Sequence, residues 1–232
     1  MTDAAPARRR VLVIGRGRMG RLVESLSGEY GFDVAGWVHR ENAGRSADWP
    51  DADVAIDFST GDAVAANFSA LARRGHPVVI GATGWGAHEA AIRHEAEARG
   101  IAVVAAPNFA LGVSLFGAIV ARAAELMSHR SEFGAWVHEL HHATKRDAPS
   151  GTALGLMEIM LGSGYRAPID VSSTRAGAIP GTHTIGFDGG GETITLTHTA
   201  RDRSIFARGA LEAAQWVQGR RGWFTMVDVL GL

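Results

Sequence analysis

The chain has 232 residues, of which 46% are hydrophobic, so it can bury a sizeable core as one large domain or two small ones. Charged residues make up 20% of the chain and the formal net charge is −1, which excludes the basic composition of a dedicated nucleic-acid or membrane-surface protein. Cysteine is absent, which excludes disulfides and thiolate chemistry.

The N-terminal segment 1–10 is polar and ends in three arginines. The apolar run that follows, Val11–Ile14, is too short for a signal sequence or a membrane span. We therefore expect a soluble cytoplasmic protein with no nucleic-acid or membrane partner.

The first half of the chain alternates short β-branched runs with helical segments. The predicted strands are 11–14, 32–38, 53–58, 77–80 and 101–106. The predicted helices are 21–27, 63–74 and 85–99. Strands that alternate with helices indicate an α/β protein with a Rossmann-type, doubly wound parallel sheet.

The pattern changes near Asn108. The later segments are predicted as helix 113–127, strand 133–139, helix 152–161, antiparallel strands 185–187 and 192–198, helix 209–217 and a closing strand 222–226. A Gly-rich turn at 188–191 joins the two antiparallel strands. Two domains without a flexible joint are the simplest interpretation.

A glycine motif, Gly15-Arg16-Gly17-Arg18-Met19-Gly20, stands directly between the first strand and the first helix. That context is the one required by the dinucleotide-binding fingerprint. The first glycine allows a tight turn, the second lets the backbone approach a pyrophosphate, and the third lets helix and strand pack closely. The alternative is an ordinary strand-to-helix turn, and we favour cofactor binding.

The end of the second strand departs from the fingerprint. An NAD site usually has Asp or Glu there to bind the ribose, but here His39 stands at that position and Arg40 follows. A guanidinium in place of a negative charge favours a 2′-phosphate, so we predict NADPH. NADH remains open, because Glu41 could serve the ribose with a one-residue shift and leave Arg40 solvated.

The run from His138 to Ala153 is the most informative in the chain, because it joins two adjacent histidines, a lysine, an Asp-x-Pro turn and Ser-Gly-Thr. This composition suits a site that binds an anionic substrate and protonates it. If Ser150-Gly151-Thr152 opens the following helix, its backbone N–H groups form a carboxylate cradle.

Two alternatives for this run are disfavoured. A metal site would need a carboxylate or a third histidine at ligand spacing, none is evident, and Lys145 would repel a cation, so no metal is predicted. Ser150 lies in no Gly-x-Ser-x-Gly elbow, which argues against a nucleophilic serine.

These segments together resemble the 4-hydroxy-tetrahydrodipicolinate reductase family, also called dihydrodipicolinate reductase. The resemblance rests on residues 15–20, 57–60, 81–84, 107–113, 139–153, 175–177, 181–183 and 206–210, which span nearly the whole chain. It implies a dinucleotide-binding domain at 1–110 and 204–232. It also implies an α+β domain with an open mixed sheet at 111–203, which binds substrate and forms a homotetramer.

The resemblance implies NAD(P)H-dependent reduction of a cyclic dicarboxylate to tetrahydrodipicolinate, in lysine and diaminopimelate biosynthesis. Hydride added to an α,β-unsaturated imine leaves an enamine-like carbanion that needs a proton. The family pattern assigns His141 as the acid and Lys145 as its partner, whose charge would lower the pKa of His141. The implied substrate-binding residues are His142, Ser150, Gly151 and Thr152.

The resemblance also implies a set of cofactor contacts. They are Gly15, Gly17, Arg18, Met19, Gly20, His39, Arg40, Phe58, Ser59, Gly81, Ala82, Thr83, Ala106, Pro107, Asn108 and Phe109. The family more often has Thr at the position of Ala82, and the loop 106–109 is expected to close the nicotinamide pocket and hinge the domains. Another amino-acid dehydrogenase with this nucleotide domain, or a non-catalytic NADPH sensor, remains as an alternative.

Overall fold

The computed structural model describes residues 8–232. Residues 1–7, which belong to the polar segment expected to carry no signal sequence, lie outside the described residues. The chain divides into two compact units. Unit one contains the described residues up to Leu111 together with Ser204–Leu232, and unit two is Gly112–Arg203.

Unit one is built on a six-stranded sheet in which every pair of neighbouring strands is parallel. Its strands are β1 (Arg9–Ile14), β2 (Phe32–Val38), β3 (Val54–Asp57), β4 (Val78–Ile80), β5 (Ala102–Ala105) and β10 (Gly222–Phe224). The strand order is β2-β1-β3-β4-β5-β10, so the chain adds β2 on one side of β1 and then crosses to add β3 on the other side. Ligands of doubly wound sheets bind at such a switch point.

Helices cover both faces of this sheet. They are α1 (Arg18–Ser27), α2 (Gly61–Arg73), α3 (Glu89–Arg99), α6 (Ser204–Trp216) and α7 (Met226–Leu230). Alternate residues of β1 enter two different cores, Val11 and Val13 on one face and Leu12 and Ile14 on the other. A strand that is buried on both faces has a continuous apolar run, which is why the sequence shows no alternation of apolar and polar residues there.

Unit two contains an open mixed sheet with helices packed on one face. Its strands are β6 (Gly134–His141), β7 (Ile169–Arg175), β8 (Thr182–Asp188) and β9 (Thr193–Thr199), in the order β7-β6-β8-β9. β6 is parallel to β7 and antiparallel to β8, and β8 is antiparallel to β9. Phe116 and Val120 of α4 (Leu111–Met127) and Leu156 of α5 (Gly151–Gly162) pack against Val137 of the sheet.

The predicted fold class is confirmed, and the largest differences in the elements concern β7, α7 and α6. β7 was not predicted, because its residues other than Ile169 and Val171 are polar and none of them is fully buried, so it carries a weak strand pattern. α7 was also missed, being five residues long. α6 begins at Ser204 instead of Gly209. Gly209 lies inside the helix, and this helical position requires glycine because a Cβ there would lie 1.7 Å from the carbonyl oxygen of Phe109.

Between residues 8 and 232, no helix combines the length and the apolar character needed to cross a membrane.

Candidate active site

The glycine motif forms a tight turn at the switch point of unit one. Gly15 has a φ of +93°, and a Cβ there would lie 2.5 Å from the carbonyl oxygen of Phe58. A Cβ on Gly20 would lie 2.1 Å from the carbonyl oxygen of Gly15. Both positions therefore require glycine, for the conformation of the turn and for the close packing of α1 on the sheet.

Gly17 differs from these two glycines because the space around it is open. A Cβ there would meet no described atom within 4 Å. Gly17 is the N-cap of α1, and as a glycine it has no side chain that could bind the first N–H groups of the helix. The first N–H groups of a helix lack partners within the helix, so this open turn offers donors to an anion.

A buried carboxylate shapes the loop that follows β3. Asp57 accepts hydrogen bonds from the Ser59 backbone N–H at 2.7 Å and from Asn67 Nδ2 at 3.1 Å. Burial raises the pKa of Asp57 from its usual value, and the hydrogen bonds oppose that rise. The carbonyl oxygen of Asp57 also accepts the N–H groups of Gly81 and Ala82, at 2.8 and 3.0 Å. This residue ties two of the predicted cofactor loops together.

The residues predicted near the nicotinamide cluster at the ends of β3, β4 and β5. The rings of Phe58 and Phe109 meet edge to face with centroids 6.4 Å apart. A Cβ on Gly81 would lie 2.3 Å from the Phe58 ring, so a side chain at this position would have to displace that ring. Ala82 is buried and Thr83 is exposed.

The two predicted loops also line one cavity of about 410 Å³ within unit one. Thr83 comes from the first loop, and Ala106 and Pro107 come from the second. Trp85 and Trp223 are among the other residues that line it, and sequence reasoning singled out neither of them.

The end of β2 carries positive charge. The backbone N–H of His39 donates to Asn42 Oδ1 at 2.8 Å, which fixes the turn after the strand, and Arg40 is exposed on this turn. Arg16, in the glycine motif, holds its guanidinium 6.0 Å from the centroid of the Trp37 ring. Sequence reasoning did not single out Arg16, because Arg16 occupies a position of the motif at which any residue is allowed.

In unit two, β6 ends at His141 and α5 begins at Gly151, one residue earlier than predicted. Ser150 is the N-cap of α5, and its Oγ accepts the Ala153 N–H at 3.2 Å. Gly151 and Thr152 therefore lie in the first turn, where backbone N–H groups have no partner within the helix. The helix start that the sequence predicted is therefore present, and its use as an anion cradle stays a prediction.

A buried carboxylate joins this cradle to the predicted acid. Glu139 is 0% exposed, and its Oε1 accepts hydrogen bonds from Arg175 Nη2 at 2.6 Å, Ser173 Oγ at 2.7 Å and the Ser150 N–H at 2.9 Å. Its Oε2 lies 2.9 Å from His141 Nδ1. Burial raises the pKa of Glu139, but the bonds from Ser150, Arg175 and Ser173 outweigh it and hold the pKa at about 2.

Sequence reasoning quoted Glu139 and Arg175 but gave neither a role. The sequence could have placed Glu139 beside His141. Residues two apart on a strand face the same side of the sheet, so Glu139 and His141 lie on one side of β6. Arg175 could not be found in this way, because it belongs to β7, the strand that the sequence did not predict.

The pKa of His141 lies below its usual value, mainly because the ring is buried. The charges of Glu139 and Asp147 raise it, and those of Lys145 and Arg175 lower it. The expected effect of Lys145 is therefore present, but burial is the larger cause.

His183 lies opposite Glu139 in the pairing of β6 with β8. Its ring meets that of His141 edge to face, with centroids 5.1 Å apart, and its Nε2 lies 3.3 Å from Ser150 Oγ. Burial, and then the charge of His141, lower the pKa of His183 to about 4, so this ring is neutral near pH 7.

The sequence argument that no carboxylate or third histidine stands near His141 is wrong. Potential ligand atoms of Glu139, His141 and His183 lie within 4.8 Å of one another, because strand alternation and cross-strand pairing bring them together. Positive charge nevertheless opposes a cation here, since Arg175 is bound to Glu139 and Lys145 also faces His141.

The loop between β6 and α5 carries the remaining predicted residues. Lys145 Nζ pairs with the carboxylate of Asp147, whose backbone oxygen accepts Arg175 Nη2 at 2.6 Å. His142 is half-buried, and its Nδ1 lies 2.8 Å from Thr144 Oγ1. Unit two thus gathers the predicted acid, its lysine and the anion cradle around one loop.

Two family models match the chain. Residues 9–109 match the model described as dihydrodipicolinate reductase, N-terminus, and residues 112–230 match dihydrodipicolinate reductase, C-terminus. The 4-hydroxy-tetrahydrodipicolinate reductase of Anaeromyxobacter sp. (strain Fw109-5) is 36% identical over 96% of this chain and 97% of its own length. The protein of the same name from Archaeoglobus fulgidus is 36% identical over 95% of this chain and 99% of its own length.

A solved structure shows the same fold. The dipicolinate-bound dihydrodipicolinate reductase of Paenisporosarcina sp. TG-14 is similar with a TM-score of 0.77 at 21% sequence identity. The match covers 95% of this chain and 98% of that one.

Proposed function

The chain belongs to the dihydrodipicolinate reductase family, and on that premise we propose that it reduces 4-hydroxy-tetrahydrodipicolinate to tetrahydrodipicolinate with NAD(P)H in lysine biosynthesis. It is an enzyme of the oxidoreductase class. One observation carries the assignment of roles. Glu139 binds the Ser150 N–H and lies 2.9 Å from His141 Nδ1, so a proton donor and an anion cradle share one buried carboxylate.

The cofactor half of the proposal rests on unit one. The open N-cap at Gly17 and the close packing at Gly15 and Gly20 fit a pyrophosphate held against the start of α1. When bound, the nicotinamide supplies the hydride. We propose NADPH as the preferred form, supported by His39 at the usual acidic position and by the exposed guanidinium of Arg40. The other proposed contacts are Arg18, Met19, Phe58, Ser59, Gly81, Ala82, Thr83, Ala106, Pro107, Asn108 and Phe109.

The substrate half rests on unit two. A carboxylate of the dianionic substrate would accept the N–H groups of Gly151 and Thr152 in the first turn of α5, with His142 as a further contact. The Ser150 N–H is held by Glu139, so Ser150 contributes by starting the helix at this point. His141 delivers the proton to the carbon that becomes negative after hydride addition, and Lys145 supplies positive charge at that place. The bound dianion would raise the pKa of His141 and so favour its protonated form.

A coupled assay tests this function. Dihydrodipicolinate synthase supplies the substrate from pyruvate and aspartate semialdehyde, and the absorbance of NADPH reports the reduction. Oxidation that depends on both the substrate and this protein is expected. Cofactor binding without oxidation would instead support a sensor, and would sink the reductase assignment.

A pair of variants tests the acid. His141→Gln should lower kcat by about 10²- to 10⁴-fold and change KM much less. The matched control is His138→Gln, on the same strand, whose Nε2 lies 3.0 Å from Thr174 Oγ1. The control should keep nearly full activity, and equal losses in both variants would show that the effect is structural.

We also propose that the protein is a homotetramer assembled through unit two. Among the described residues, β9 pairs with β8 alone and so leaves one edge of the sheet open. Large apolar side chains are exposed in the same unit, namely Leu115, Ile119, Leu126, Leu154, Ile159, Leu161 and Ile194. Light scattering coupled to gel filtration tests this, and a monomeric mass would refute it.

A further inference from the structure

We propose that Glu139 is a positioning residue that holds a proton on Nδ1 of His141, so that Nε2 is the atom that delivers the proton to the substrate. This inference rests on the proposed function, because it takes His141 as the acid. It goes further by naming the atom that carries the proton and the residue that selects it.

The first argument is the pairing of two buried atoms. Glu139 Oε2 and His141 Nδ1 lie 2.9 Å apart, which is within hydrogen-bond distance, but the angles do not meet the criteria for a hydrogen bond. Among the described residues, neither atom has a hydrogen-bond partner, and the next nitrogen to Oε2 is His183 Nε2 at 3.8 Å. An ionised carboxylate only accepts hydrogen bonds, so the ring nitrogen that faces it must carry hydrogen. In the neutral ring, that leaves Nε2 unprotonated.

The second argument is the space kept around Nε2. A Cβ on Gly181 would lie 3.0 Å from His141 Nε2, and Gly181 has a φ of +150°. The chain therefore keeps a side chain away from the nitrogen that the carboxylate does not face. A protonated ring gives up its Nε2 proton to the substrate carbon, and the neutral ring that remains already has its hydrogen on Nδ1.

The third argument is that the carboxylate stays ionised. All three hydrogen bonds to Glu139 from Arg175, Ser173 and Ser150 fall on Oε1. Oε2 faces His141 Nδ1 at 2.9 Å and, at the longer distance of 3.8 Å, His183 Nε2. Because Ser150 is also the N-cap of α5, the carboxylate fixes the acid relative to the anion cradle. Glu139 thereby positions the proton donor and the substrate cradle together.

The charges around His141 predict the sign of each substitution. Glu139 and Asp147 raise its pKa, Lys145 and Arg175 lower it, and His183 contributes a neutral ring. Loss of Glu139 removes an anion, whereas loss of Arg175 removes a cation. The two losses should therefore move the titration of His141 in opposite directions, although each breaks the same buried ion pair.

The test uses Glu139→Gln and Arg175→Gln in the full chain. The amide of the first variant can donate to Nδ1 and so allows the proton to move to Nε2. Nitrogen-15 NMR of the ring gives the tautomer and the pKa of His141, and the pH profile of kcat gives the working acid. We expect an Nδ1–H tautomer in the wild type and loss of that preference in Glu139→Gln. The descending limb of kcat should shift by about one pH unit to lower pH in Glu139→Gln and to higher pH in Arg175→Gln.

A wild-type ring with its neutral proton on Nε2 would overturn the proposal, as would shifts in the same direction in both variants. Glu139→Asp keeps the charge and should restore part of the wild-type profile, including where the Gln variant folds poorly. Glu192→Gln, at an exposed acid of the same unit, is the control. Two different failures can be told apart, because the NMR result does not depend on turnover. Full activity in His141→Gln would show that His141 is not the acid. A neutral proton on Nε2 in the wild-type NMR spectrum would show that the tautomer assignment is wrong.

Discussion

Lys145 Nζ binds both carboxylate oxygens of Asp147, Oδ1 at 2.8 Å and Oδ2 at 2.9 Å. The Lys145 side chain is 23% exposed and that of Asp147 is 56% exposed, so the pair contributes little to stability. The pair matters for substrate binding, because the carboxylate of Asp147 competes with the substrate for Lys145.

Asp147→Asn should therefore lower KM for the dicarboxylate substrate, because Lys145 no longer has to leave an anion. An exposed pair of this kind is worth up to about 1 kcal/mol, which corresponds to a decrease of about two- to fivefold. Initial rates at varied substrate give the answer, with Arg146→Gln as the control for the loss of a neighbouring exposed charge. A rise in KM would mean that Asp147 holds Lys145 in its working position.

Two glycines of the same motif should behave differently when each is changed to alanine. In Gly20→Ala, the new Cβ would lie 2.1 Å from the carbonyl oxygen of Gly15, and the free energy of unfolding should fall by about 1–3 kcal/mol. In Gly17→Ala, the new Cβ meets no described atom within 4 Å, so stability should change little while the Kd of the cofactor rises. Thermal unfolding and fluorescence titration measure the two effects. Unchanged cofactor affinity in Gly17→Ala would contradict a pyrophosphate at this turn.

Cofactor preference should depend on Arg40. Arg40→Ala should reduce the ratio of kcat/KM for NADPH to that for NADH by about tenfold or more, since a hydrogen bond to a charged group is worth about 1.5–3 kcal/mol. Arg45→Ala removes another exposed arginine and serves as the control. An unchanged ratio in Arg40→Ala would refute the assignment. A selective loss with NADH in Glu41→Gln would instead support ribose binding by Glu41.

Acid should lower stability because two buried groups, His183 and Glu139, bind fewer protons in the folded state. Asp57, whose pKa is raised by burial, opposes part of this loss. The pKa of His183 falls from 6.5 to about 4, so its contribution is complete above pH 6.5 and is lost between 6.5 and about 4. The pKa of Glu139 falls from 4.5 to about 2, so its contribution is complete above pH 4.5 and is lost between 4.5 and about 2. Urea unfolding across this range should show the slope, and His183→Asn should flatten its upper part. A His183→Asn slope equal to that of the wild type between pH 4 and 6.5 would contradict this account.

The sequence predicted the fold class and both halves of the candidate site because their signals are local. The glycine motif, the apolar run of β1 and the Ser-Gly-Thr start of α5 are each written in a few consecutive residues. β7 was missed because an edge strand with polar residues has little pattern of its own. The role of Arg175 was missed with it, although its hydrogen bond helps to keep Glu139 ionised.

By itself, the sequence determined that this is an α/β chain with a nucleotide-type glycine turn, and it pointed to a candidate acid at His141 and a candidate anion cradle near Ser150. Only the tertiary structure decided what surrounds that acid. Glu139, Arg175 and His183 come from three different strands, and pairing between distant segments sets their distances. A titratable group takes its protonation from its neighbours and its burial, and neither is defined until the chain has folded.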